Sequence, residues 1–136
     1  MPKYAVSLAV VLLLLAGCGQ QSPRETLRTE LQTIKSNAAT AELVARDLAR
    51  GAVPQPYAKN AIQSAKDGLE GSAQSVSEIP EASNLMPHIQ ALQKAIDGMS
   101  DSVEKNDRAA LPSLADQLAQ EQQAIDDIAK QLGIEP

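Results

Sequence analysis

Apolar residues recur along this chain at alternating steps of three and four, from about residue 23 to residue 132. Such steps keep a stripe on one side of an α-helix, whereas a strand would need steps of two. The first stripe is Leu27, Leu31, Ile34, Ala38, Ala41, Ala45 and Leu48. It predicts a helix over about 23–50, opened by Ser22-Pro23-Arg24-Glu25 as a capping box and stopped at Gly51. The second stripe is Ala58, Ile62, Ala65, Leu69, Ser72, Val76 and Ile79, predicting a helix over 56–78 that Pro80 closes. The third is Leu85, Ile89, Leu92, Ile96, Met99 and Val103, predicting a helix over 84–105 with Pro87 in its first turn. The fourth is Leu114, Leu118, Glu121, Ile125, Ile128 and Leu132, predicting a helix over 108–132 that Gly133 ends. Its start is ambiguous, because a cap at Asp107 would put Pro112 too deep for an undistorted first turn.

Together the stripes predict an all-α fold. The mean repeat of 3.5 fits left-handed knobs-into-holes packing at roughly +20°. Short connections predict an antiparallel up-down four-helix bundle over residues 22–136. The alternative is one or two long helices in an intermolecular coiled coil, which the prolines at 54, 56, 80, 87 and 112 disfavour. A short similarity also links Ala61–Leu69 to Ala91–Met99, with Gly68 and Gly98 at matching places.

A different pattern precedes the helices. Lys3 is followed by an apolar run from Ala5 to Leu15, broken only by Ser7. Eleven helical residues span roughly 17 Å, well short of the ~30 Å hydrocarbon core. The run therefore reads as the core of a signal peptide. It ends in Leu15-Ala16-Gly17-Cys18, which resembles the lipobox of bacterial lipoproteins. The resemblance covers residues 1–21 only. It implies that Leu15, Ala16 and Gly17 are read by the lipoprotein signal peptidase and that residues 1–17 are removed. It also implies a diacylglyceryl group on the Cys18 thiol, an acyl chain such as palmitate on its amino group, and a lipidated tether over 18–21. Gly19 rather than Asp follows the cysteine, which implies the outer membrane, facing the periplasm, in a diderm organism. Two or more acyl chains anchor a protein stably, whereas one does not.

Composition narrows the chemistry further. The chain has one Cys, one His, no Trp and no Phe. With Cys18 lipidated, no thiol remains for redox or metal chemistry. A formal charge of −5 and a pI near 4.8 argue against nucleic acid. Losing Lys3 with the leader takes the charge to −6. The charge is uneven: residues 22–51 carry five basic and four acidic groups, residues 107–136 two and six. The acidic fourth helix could face a basic partner or lie beside the first. Arg24 and Arg28, just after the anchor, are candidates for orienting the domain on anionic lipid.

Catalytic patterns are missing. There is no paired Glu-x-x-His, no Cys-x-x-Cys-His and no Gly-rich phosphate loop. Met86, His88 and Met99 are the remaining candidates for a metal or haem. Glu121 interrupts a stripe and is a candidate buried carboxylate, unless the stripe drifts towards Ala115, Ala119 or Gln122. The resulting expectation is a small non-enzymatic lipoprotein of the cell envelope, without a cofactor, that serves as an adaptor for an envelope protein or peptide. In fold class it is similar to secretin pilotins, although no motif carries that family over. A metal- or haem-binding bundle and a self-associating structural lipoprotein are the alternatives, and the oligomeric state is open.

Overall fold

The computed structural model describes residues 21–135. They form four α-helices and two short 3₁₀ turns, with no strand among them. The helices are α1 (Pro23–Ala49), α2 (Gln55–Ser77), α3 (Met86–Glu104) and α4 (Leu111–Gln131). Two 3₁₀ turns, Pro80–Leu85 and Arg108–Ala110, lead into α3 and α4.

Proline opens every helix. Pro23, Pro56, Pro87 and Pro112 each fall at the first or second position, where the missing N–H costs nothing. This settles the start of α4. The expected 108–132 shortens at its front, because residues 108–110 take a tighter turn and place Pro112 second in the helix. The expected 84–105 shortens in the same way, since 80–85 forms the other 3₁₀ turn. Ser22 caps α1, its hydroxyl accepting from the Glu25 N–H at 3.2 Å.

Three helices end alike. Gly51, Asn106 and Gly133 adopt positive φ just past the ends of α1, α3 and α4. In each case the next residue's N–H reaches back five residues at 2.8 Å: Ala52 to Asp47, Asp107 to Ser102, Ile134 to Ala129. This Schellman closure satisfies the last carbonyls and turns the chain sharply.

The helices close into a bundle. α1 packs on α2, α2 on α3, α3 on α4 and α4 back on α1, while diagonal pairs barely touch. All seven residues of the first stripe are buried, with Val44 added. In the second stripe, six of the seven are buried, and Ile79 is half-buried against the core. The third is buried throughout, with Ala95 added.

The fourth stripe is corrected. The buried line on α4 is Leu111, Ala115, Leu118, Ile125 and Ala129, with Ile134 beyond the helix. Only Leu118 and Ile125 belong to both lines. Gln122, not Glu121, takes the polar position midway along the buried line. Leu114, Ile128 and Leu132 flank the core half-buried.

Two glycines explain themselves. A Cβ on Gly68 would stand 2.6 Å from Asn37 of α1, and one on Gly98 would stand 3.1 Å from Leu114 of α4. Each glycine is covered by a side chain of the neighbouring helix. Gly71 differs, since a Cβ there meets nothing within 4 Å. Gly71→Ala should raise stability by roughly 0.5–1 kcal/mol through helix propensity and a less flexible unfolded chain. Thermal melts should show a gain of about 2–5 °C. Leu92→Ala, at a fully buried position, should cost about 2–5 kcal/mol by denaturant titration.

Candidate functional site

Charged side chains do not gather into one centre. They line the seams between helices, and the densest line joins α1 to α4. Near the end of α1, Glu42 accepts from Arg46 at 3.2 Å and from Gln122 at 3.2 Å through its two oxygens. Arg46 also donates to Asp116 at 2.9 Å. The hydrogen bond to Asp116, then that to Glu42, raises the Arg46 pKa. Lys35 sits 2.8 Å from Asp126, an ion pair without hydrogen-bond alignment. Arg28 donates to the Glu135 carbonyl at 2.8 Å, and Arg24 donates to the Leu132 carbonyl. The uneven charge is thus answered inside the chain: basic α1 lies against acidic α4.

Each candidate residue now has a place. Leu15, Ala16, Gly17 and Cys18 lie outside the described residues. Arg24 and Arg28 are exposed, yet their bonds run to the backbone that ends α4. This position also suits them electrically, because a helix C-terminus favours cations.

Met86, His88 and Met99 all sit on α3. They do not converge. At 1.5 Å per residue, Met99 lies about 16 Å along the axis from His88 and about 20 Å from Met86. Met99 is buried in the core and Met86 packs against the core's edge. These three cannot share one ion. Among the described residues, no three His, Cys, Asp or Glu side chains stand together as a metal cage.

Glu121 is not a buried carboxylate. Its side chain is 29% exposed, and His88 Nδ1 lies 2.6 Å from its carboxylate. The rotation of α4 that brings Gln122 inward carries Glu121 towards α3. The pair bridges α3 and α4 at the surface. With a carboxylate on Nδ1 the imidazole is held in orientation.

The α2–α3 seam holds a cleft of about 390 Å³. Leu69 and Ile96 form its floor, with Lys66, Glu70, Gln93 and Asp97 around it. Lys66 and Asp97 close to 2.8 Å across it. A second cleft of about 260 Å³, more apolar, is lined by Leu43, Arg46, Ala49, Arg50 and Pro112. Leu43 is 60% exposed and Tyr57 57%. Sequence reasoning missed both clefts and the Glu42–Arg46–Asp116 network. A signal for the network existed, in the opposite charge of the first and last helices.

No protein-family model, curated protein or solved structure matches the chain.

The Lys66–Asp97 bridge has a pH consequence. The hydrogen bond to Asp97, then its charge, raises the Lys66 pKa above its ordinary 10.5. A raised folded-state value means the bridge stabilises fully below the unfolded value and fades as pH climbs through the folded one. Thermal melts should therefore show wild type losing more stability than Lys66→Gln between neutral pH and the range above 10.5.

Proposed function

We propose that this chain is a lipid-anchored envelope protein that works by contact rather than by catalysis. The observation that supports it best is adjacency. The box Leu15-Ala16-Gly17-Cys18 is followed within five residues by the first turn of a bundle. Residues 1–17 are a signal peptide on this reading. Cys18 carries the diacylglyceryl and N-acyl chains, and the bundle stands in the periplasm on the outer membrane of a diderm cell. No helix among the described residues is long and apolar enough to cross a membrane.

The topology proposed is antiparallel and up-down. Cross-helix pairs support it, since residue numbers rise on one helix as they fall on its neighbour. Lys35 meets Asp126 while Arg46 meets Asp116. Lys59 meets Glu104 while Lys66 meets Asp97. His88 meets Glu121, while a Cβ on Gly98 would meet Leu114. On this topology α1 carries the chain away from the anchor. Leu43 then lies about 30 Å along the helix from Pro23. Tyr57, in the first turn of α2, shares that far end.

An envelope protein or peptide would meet the domain there, at the exposed Leu43 and Tyr57. The core seams are filled within one chain, so partner binding must use such surface residues.

Cys18→Ser tests the anchor. In fractionated cells the variant should leave the membrane fraction or accumulate with residues 1–17 still attached. An unchanged membrane fraction of normal mass would overturn the reading. Leu43→Glu with Tyr57→Glu should remove crosslinks to envelope proteins while leaving the melting curve within about 0.5 kcal/mol of wild type, as for surface changes generally.

A further inference from the structure

The end of α4 turns back onto the start of α1. Gly133 takes φ +71° and Ile134 bonds to the Ala129 carbonyl at 2.8 Å. Ile134 is then only 5% exposed, a pin that holds the tail down. Above it, Arg24 donates to the Leu132 carbonyl and Arg28 to the Glu135 carbonyl. These acceptors are neutral. Among the described residues neither arginine forms an ion pair with a carboxylate, unlike Arg46 and Arg50 further along α1. Adjoining clefts of about 270 and 170 Å³ open here. Arg24, Arg28 and Lys130 line them against Glu25 and Glu135.

We propose that Arg24, Arg28 and Lys130 form a seat for the phosphate of an anionic lipid headgroup, and that the Gly133–Glu135 tail is a strap covering it. A guanidinium binds a phosphate through paired, charge-assisted bonds that are about twice as strong as bonds to a neutral acceptor. A phosphate therefore competes with the Leu132 and Glu135 carbonyls for the same donors. Position supplies the lipid. Arg24 and Arg28 stand six and ten residues after Cys18. The three residues between Cys18 and Ser22 reach at most about 11 Å. This inference rests on the reading of Cys18 as the anchor.

The test uses the full protein purified from membranes, whose intact mass reports the lipid on Cys18 separately. It is reconstituted into vesicles of phosphatidylcholine alone or with phosphatidylglycerol. Amide exchange is read at Ile134 and Glu135. Phosphatidylglycerol should speed exchange about fivefold at low salt, the scale set by one basic residue near an anionic surface. High salt should reverse the effect, and Arg24→Gln with Arg28→Gln should exchange equally on both vesicles. Equal exchange of the wild type on both vesicles, with Cys18 lipidated, would overturn the seat and leave the anchor standing. An intact mass without lipid would overturn the anchor reading and this inference with it. If glycerol phosphate added to phosphatidylcholine vesicles reproduced the whole effect, the assignment to lipid headgroups would fail.

Discussion

The constraint on which this fold depends is how close its helices can come. Among the described residues, ten of the 28 buried apolar ones are alanine and none is aromatic. An alanine fills little volume, so at native packing density the backbones must close in on one another. At Gly68 and Gly98 a side chain of the neighbouring helix packs onto the glycine itself. Asn37 stands against the first and Leu114 against the second, at distances that leave no room for an ordinary Cβ contact. Short side chains and close axes are two sides of one arrangement. Enlarging a residue at these contacts pushes helices apart, and shrinking a leucine opens a void that the small neighbours cannot refill.

Close helices bring their flanks together as well. That is why the seams carry so many cross-helix bonds. α1 presents Lys35 and Arg46 where α4 presents Asp126 and Asp116. α2 presents Lys59 and Lys66 where α3 presents Glu104 and Asp97. Most of these pairs are partly exposed, so each adds little energy. Their value lies in selection. With basic groups on α1 and acidic groups on α4, a rotated or mispaired arrangement would set like charges side by side. Apolar stripes as similar as these specify burial well and neighbours poorly, and the charge pattern supplies the missing discrimination.

The sequence made three of the four helices legible because each had one apolar stripe without a rival. α4 had two. Leu114-Leu118-Glu121-Ile125-Ile128-Leu132 and Leu111-Ala115-Leu118-Gln122-Ile125-Ala129 have the same spacing and share two residues. Hydrophobicity favours the first, since it holds more large side chains. Packing chose the second, because alanines at 115 and 129 suit close helices and Gln122 reaches Glu42 at 3.2 Å. The true position of Glu121 follows from that choice and is invisible without it. The His88–Glu121 contact joins residues 33 apart, which only the tertiary fold brings together. By contrast, the separation of Met86 and His88 from Met99 along α3 follows from helix geometry alone.

These facts limit where the surface can act. The α1–α4 seam spends most of its charged groups on the other helix. The end that holds Ser22 also holds the α4 tail, so on the anchored reading it faces lipid. On the up-down topology proposed, what is left is the opposite end. There a loop of residues 50–54 joins α1 to α2, and residues 105–110 join α3 to α4. Tyr57 stands in the turn that follows the first of these connections, and Leu43 lies beside Pro112 at the second. In a chain so short of aromatics, an exposed tyrosine is a costly residue to leave outside a core that has no aromatic among its described residues. A tyrosine suits an interface because its ring covers apolar area while its hydroxyl stays satisfied by water. On the anchored reading the division of labour is physical: one end held by lipid and tail, the middle closed by alanine and charge, and the far end presenting the large side chains the core did not take.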